Sequence, residues 1–158
     1  GLPVLTTRCS NNYGPYHFPE KLIPLFVTNL MEDKQVPLYG DGKNVRDWLY
    51  VEDHCDAIYT VLNRGKFGEA YNVGGNNEMT NRQITEIILK AMDKPWDKYV
   101  KYVQDRPGHD RRYAIDASKI KRELGWEPKH SLPKDIPMIV DWYRKNADVI
   151  RGRQVSLT

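Results

Sequence analysis

The sequence comprises 158 residues, 40% of them hydrophobic and 28% charged, proportions that fit one folded domain and exclude a disordered or fibrous chain. Its 24 basic and 21 acidic residues leave a net charge of +3 spread along the chain, too small and dispersed for a nucleic-acid footprint, and no apolar run nears the ~20 residues needed to span a bilayer. Cys9 and Cys55 have neither CxxC spacing nor a paired histidine, which argues against a metal site or a disulfide framework and for buried free thiols in a soluble, cytoplasmic protein.

Leu2 to Arg8 is a β-branched apolar run expected to form a buried strand, and it opens the chain as though cut from the middle of something larger. It delivers a polar loop, Ser10 to Pro15. Pro19 suits the first turn of a helix whose face is Ile23, Phe26, Val27 and Leu30. Val36 to Tyr39 reads as a strand closed by Gly40-Asp41-Gly42, and Trp48 to Tyr50 as another. Ala57, Ile58, Val61 and Leu62 mark one apolar helix face ending near Gly65. Ala70 to Val73 is a strand stopped by Gly74-Gly75, and Thr80 with Gln83 forms a capping box for a helix carrying Ile84, Ile87, Ile88 and Ala91. Val100 to Val103 is a strand running into the polar stretch Asp105 to Arg112. Asp116 is placed to cap a short helix that Gly125 stops, and Ser131 a last helix with Ile136, Ile139, Val140 and Tyr143 inward. Strands alternate with helices throughout, so the class is α/β.

In open α/β sheets ligands lie outside the carboxyl ends of the strands, which makes the loops Ser10 to Pro15, Gly74 to Thr80 and Asp105 to Arg112 the candidate site. Asn11 and Asn12 offer uncharged donors and acceptors suited to a sugar hydroxyl or a carboxamide, or else they satisfy loop backbone. Arg46 and Arg106 can each fork onto a phosphate, though a single arginine is more often a solvated surface group. Tyr39 can stack on a base or form part of a rim. Asn81 sits at a helix N-terminus, where free N–H groups favour a polar or anionic ligand, or it supports the Thr80 cap. Of the histidines, only His109 lies in an arginine-rich loop, and His17, His54 and His130 have no partner at catalytic or metal spacing. No glycine fingerprint follows a strand and no nucleophile set is present. Tyr39 and Lys43 match YxxxK, but a turn separates them, whereas a catalytic pair needs one helix face.

Arg8-Cys9-Ser10-Asn11-Asn12-Tyr13-Gly14-Pro15 resembles the R-x-x-N-x-Y-G-P element of extended short-chain dehydrogenase/reductases. Tyr16 to Pro24 narrows the resemblance to the dTDP-glucose 4,6-dehydratase family, Arg46 to His54 and Asp105 to Asp116 fit the same family, and the likeness runs from end to end. The resemblance implies an NAD-dependent hydro-lyase of nucleotide-sugar biosynthesis: NAD takes a hydride from glucose C4, water leaves across C5 and C6, and the hydride returns to C6. Asn12 matches a position near the nicotinamide end of NAD, and Asn11 a substrate contact. Lys21, Leu22, Pro37, Leu38 and Tyr39 match nucleotide-holding positions, the last three against the thymine. Arg46 matches a diphosphate arginine, Asn81 a substrate contact, and Asp105, Arg106, Pro107, Gly108 and His109 the loop over the diphosphate and nucleoside. The family's catalytic residues and dinucleotide glycines match nothing in this chain. The expectation is therefore a C-terminal substrate-binding portion over residues 1–158, including the last strands of a Rossmann-type parallel sheet. Alone it is inactive; its partners are dTDP-glucose and its own N-terminal Rossmann half, which binds most of the NAD, with a homodimer at full length and neither metal, nucleic acid nor membrane. A related nucleotide-sugar epimerase or decarboxylase, and a non-catalytic nucleotide-sugar-binding module, are the alternatives.

Overall fold

A computed structural model of the chain describes residues 1–148 and 150. In chain order the elements are β1 (Thr6–Cys9), β2 (Asn11–Tyr13), α1 (Leu22–Met31), β3 (Val36–Tyr39), β4 (Val45–Tyr50), α2 (Val51–Arg64), β5 (Ala70–Val73), β6 (Glu78–Thr80), α3 (Asn81–Ala91), α4 (Trp96–Tyr99), β7 (Val100–Val103), β8 (Arg112–Tyr113), α5 (Ser118–Leu124) and α6 (Leu132–Lys145). They fall into two compact units, one built from Gly1–Tyr13, Val45–Met79 and Arg112–Leu132, the other from Gly14–Asn44, Thr80–Arg111 and the described residues from Pro133 onward.

In the first unit β1 and β5 pair in parallel, Thr6 opposite Ala70 through Cys9 opposite Val73. After Cys9 the chain changes sheets: Asn11 to Tyr13 pair in parallel with Trp48 to Tyr50, and Val45 and Arg46 at the other end of β4 pair with Arg112 and Tyr113. The segment read from sequence as a loop is thus a short strand, because tertiary pairing overrides the poor strand propensity of two asparagines. Ala57 and Val61 of α2 close over Tyr71 and Val73, with Ile120, Leu124 and Trp126 completing the core. The larger aliphatic side chains among these, Val61, Val73, Ile120 and Leu124, contribute about 1.5–3 kcal/mol each of transfer free energy.

The second unit is built on β3 and β7, parallel from Val36 opposite Val100 to Tyr39 opposite Val103. Helix α1 packs on β3 and α3, burying Ile23, Phe26, Val27 and Leu30. It begins at Leu22 rather than near Pro19, which puts Pro24 in the first turn, where a backbone N–H has no helical partner to lose. The capping box at α3 is present on both sides, Thr80 Oγ1 accepting from the Gln83 N–H and Gln83 Oε1 from the Thr80 N–H. Ile136, Ile139, Val140 and Tyr143 of α6 are buried, as their spacing requires.

Several expectations need correction. Leu2 and Val4 are exposed and β1 alternates between exposed and half-buried residues, because within the described residues β1 pairs on one edge only. On α2 only Ala57 and Val61 of the expected face are buried, while Ile58 and Leu62 are 45% and 69% exposed, since the cover from β5 and α5 reaches one narrow stripe. Asp116 accepts the Ser118 N–H at 2.8 Å, yet Ala117 holds the N-cap position. Cys55 is exposed and Cys9 half-buried, so neither thiol is a core residue.

A two-stranded parallel sheet with an uncovered helix face is a poor free-standing core. The isolated 158-residue chain is expected to bind a hydrophobic dye and to melt without a sharp transition. A cooperative melt of a dye-free monomer would contradict this.

Candidate functional site

The expected site residues divide between the units. Asn11, Asn12 and Arg46 belong to the first, and Lys21, Leu22, Pro37, Leu38, Tyr39, Asn81 and Asp105 to His109 to the second.

In the first unit the Asn12 amide is held on both sides. Its Nδ2 donates to the Ser10 carbonyl at 3.0 Å and to Cys9 Sγ at 3.6 Å, while Oδ1 faces His54 Nδ1 at 2.8 Å. Both readings of Asn12 therefore survive: one N–H satisfies loop backbone, while the other meets only a weak sulfur acceptor and Oδ1 keeps a lone pair. That donor and acceptor set suits a carboxamide such as the one on the nicotinamide of NAD. Arg46 donates from Nη1 to the Val45 carbonyl at 2.7 Å. Beside it, Asp47 is buried and takes the Gly75 N–H at 2.8 Å and the Asn77 N–H at 2.7 Å. Gly75 is obligatory there, because a Cβ would come within 1.8 Å of the Trp48 carbonyl oxygen.

The first turn of α2 faces two directions. Asp53, also buried, accepts the Lys129 and His130 N–H groups at 2.9 Å each and lies 3.0 Å from His130 Nδ1. Tyr50 stacks on His130 with centroids 4.1 Å apart and meets Tyr13 at 5.4 Å. Burial lowers the His54 pKa, because desolvation disfavours the charged ring. Residue spacing could not reveal these histidine partners, which lie 42 and 77 positions away in the chain.

In the second unit the parallel register sets the ends of β3 and β7 side by side. The Gly40 N–H donates to the Val103 carbonyl at 3.0 Å, and at a φ of +55° a Cβ on Gly40 would press on the Asp105 carboxylate at 3.0 Å. Tyr39, 42% exposed, is thereby brought alongside the start of the loop Asp105 to His109, while Leu38 is in the core, so any ligand contact from Leu38 is through backbone. One ion pair and one histidine–carboxylate hydrogen bond shape the loop. Arg111 forks onto Asp41 at 2.8 and 3.1 Å, which with the Lys43 N–H holds the Asp41 carboxyl at a pKa of about 2. His109 Nδ1 lies 2.6 Å from Asp105 Oδ1, and this bond pulls the Asp105 pKa down. Arg106, Pro107 and Gly108 are exposed at the loop tip and Lys21 at the N-cap of α1. The Tyr39–Lys43 spacing is indeed interrupted by a turn, with Gly40 and Gly42 both at positive φ.

One expectation fails at α3. Its first N–H groups are not free for a ligand: Asn81 donates to the Asn44 carbonyl at 3.0 Å, Arg82 to Gly42 at 2.9 Å and Gln83 to the Thr80 hydroxyl at 3.1 Å. The 42–44 turn takes the place an anion would need, and Asn81 itself is 8% exposed. Among the described residues no group of three or more metal-ligating side chains occurs, and no helix is long and apolar enough to cross a membrane.

This parallel α/β arrangement with polar loops at strand ends is that of the short-chain dehydrogenase/reductase dehydratases, and residues 1–139 match the family described as GDP-mannose 4,6 dehydratase. The chain belongs to that family. It is 56% identical over 160 residues to the dTDP-glucose 4,6-dehydratase of Xanthomonas campestris pv. campestris strain B100, covering 96% of this chain and 46% of that protein. The crystal structure of dTDP-glucose 4,6-dehydratase from Bacillus anthracis in complex with NAD matches with a TM-score of 0.91 and 55% identity, over 96% of this chain and 48% of that one. UDP-glucose 4-epimerase of Thermotoga maritima, solved with UDP-glucose, is more distant at 30% identity and a TM-score of 0.83, over 90% of this chain and 46% of that one. The chain thus spans about half the length of the relatives it matches.

Two outcomes follow from the geometry. Asp47→Ala strands the Gly75 and Asn77 N–H groups and is expected to cost about 3 kcal/mol in denaturant unfolding, part of it restored by Asp47→Asn, which keeps one acceptor. His17 is pushed down to about 4 by burial and by nearby Lys21, so the folded state binds that proton less readily than the unfolded one. Its contribution is intact above the ordinary histidine value of 6.5 and is lost as pH falls through that value toward about 4. A His17→Gln variant should flatten this part of the stability–pH curve, and an unchanged curve would contradict the assignment.

Proposed function

We propose that this chain is the C-terminal, nucleotide-sugar-binding portion of an NAD-dependent dTDP-glucose 4,6-dehydratase that forms dTDP-4-keto-6-deoxyglucose. The observation that carries the reading is the pairing of β3 with β7, which sets Tyr39 beside the Asp105–His109 loop. Those are the segments that match the family's thymine and diphosphate positions, in a chain 56% identical to a dTDP-glucose 4,6-dehydratase.

Each unit supplies different groups. In the second, Tyr39 offers an aromatic face to a base, Arg106 and Lys21 offer cationic donors to phosphate oxygens, and His109, braced by Asp105, holds the loop in shape. In the first, Arg46 is a diphosphate donor, Asn11 a sugar contact, and Asn12 presents an amide to the nicotinamide end of NAD. NAD, when bound, accepts the hydride from C4 and returns it to C6. The groups that hold it elsewhere and move the protons belong to a preceding Rossmann half, so the chain alone is inactive. The full-length enzyme is a cytoplasmic homodimer in this reading.

Incubation of the full-length protein with dTDP-glucose is expected to release a 4-keto-6-deoxy sugar, detected by mass loss of one water. Recovery of the C4 epimer at unchanged mass would favour the epimerase reading instead.

A further inference from the structure

We infer that His54 is a positioning residue for the cofactor: its Nδ1–H fixes the Asn12 amide so that the N–H now held only by Cys9 Sγ and the second Oδ1 lone pair of Asn12 can turn to one ligand amide. The inference rests on the proposed reading of Asn12 as a contact to the nicotinamide end of NAD.

The orientation of Asn12 follows from its neighbours. Its Nδ2 lies 3.0 Å from the Ser10 carbonyl oxygen, an acceptor that only an N–H can approach, so Oδ1 must be the atom 2.8 Å from His54. Oδ1 can only accept, which assigns the proton of His54 to Nδ1. The imidazole is half-buried, and burial favours its neutral form, in which the single N–H committed to Asn12 fixes the amide without adding charge.

The support for His54 itself is rigid. It sits in the first turn of α2, one residue after Asp53, whose carboxylate is buried and bonded to the Lys129 and His130 N–H groups. Parallel pairing of Asn12 opposite Leu49 sets the distance from β2 to the residues that lead into that turn. Neither histidine spacing nor the R-x-x-N-x-Y-G-P element contains this link, since 42 positions separate the two residues. The contact to Cys9 Sγ at 3.6 Å is the weakest that Asn12 makes, so it is the one a ligand carbonyl would displace.

The test uses the full-length protein, with NAD and dTDP affinities measured separately by calorimetry and the thermal midpoint recorded for each variant. His54→Leu is expected to weaken NAD binding about five- to tenfold, the worth of one net hydrogen bond, and to leave dTDP affinity unchanged. His54→Asn, whose amide N–H can stand where Nδ1 stands, should recover most of the loss. In an Asn12→Ala background, His54→Leu should add nothing further. Unchanged NAD affinity in His54→Leu, with Asn12→Ala clearly weakened, would overturn the positioning role alone. Equal loss of NAD and dTDP affinity with a lowered midpoint would overturn it in favour of a structural role. An Asn12→Ala protein that binds NAD as tightly as the parent would overturn the reading of Asn12, and the role of His54 with it.

Discussion

A single buried carboxylate organises the first unit. Asp47 takes two backbone N–H groups from the turn that follows β5, at 2.8 and 2.7 Å, and so ties the exit of one strand pair to β4 of another sheet. The approach is close enough that only glycine fits at position 75 against the Trp48 carbonyl. Such an arrangement is costly to break, because a buried N–H left without a partner loses its full solvation. From that anchor β4 runs into α2, and the neighbouring side chains act separately. Arg46 precedes the anchor, Tyr50 packs at a tilt against Tyr13 and His130, Asp53 holds the Lys129–His130 backbone and His54 holds Asn12. The Arg46–His54 block is therefore a hub of fixed side chains, and its resemblance to a family motif has a structural reason.

The second unit solves a different problem, the shaping of a polar loop without a regular scaffold. Its means are local side-chain pairs. Arg111 on Asp41 ties the 105–111 segment to the Gly40–Gly42 turn, His109 on Asp105 braces the segment internally, and both carboxylates have pKa values held below the usual range. The same turn occupies the N-terminal donors of α3 through the Asn44 and Gly42 carbonyls. Asn81 then depends on its side chain, rather than on the helix terminus, for any ligand contact.

What could be read from the sequence alone follows the range of the interactions concerned. The Thr80–Gln83 cap, the β3 strand, the αL residue Gly125 and the inward faces of α1 and α6 were legible because each is decided within a few residues by spacing, turn chemistry or periodicity. β2, β6 and β8 were not, since strands of two or three residues exist only through partners far along the chain. Periodicity also misassigned Ile58 and Leu62, for it reports what a helix face could bury and not how much of it this chain covers. Asp47, Asp53 and the histidine partners were invisible for a related reason: a charged residue in a polar string gives no local sign that its carboxylate will be buried against backbone. The candidate ligand residues were chosen by loop position and resemblance, and the structure adds which of their atoms are already committed.

The central claim, the proposal that these loops take a thymidine nucleotide-sugar and the nicotinamide end of NAD in a longer enzyme, is tested most directly by a crystal structure of the full-length protein with NAD and dTDP. The account predicts, in the second unit, thymine against Pro37 to Tyr39 and the nucleotide under the Asp105–His109 loop, and, in the first, the nicotinamide carboxamide on Asn12 with the His54 contact retained. A nucleotide bound away from these residues, or NAD bound with Asn12 still turned wholly to Ser10 and Cys9, would contradict it.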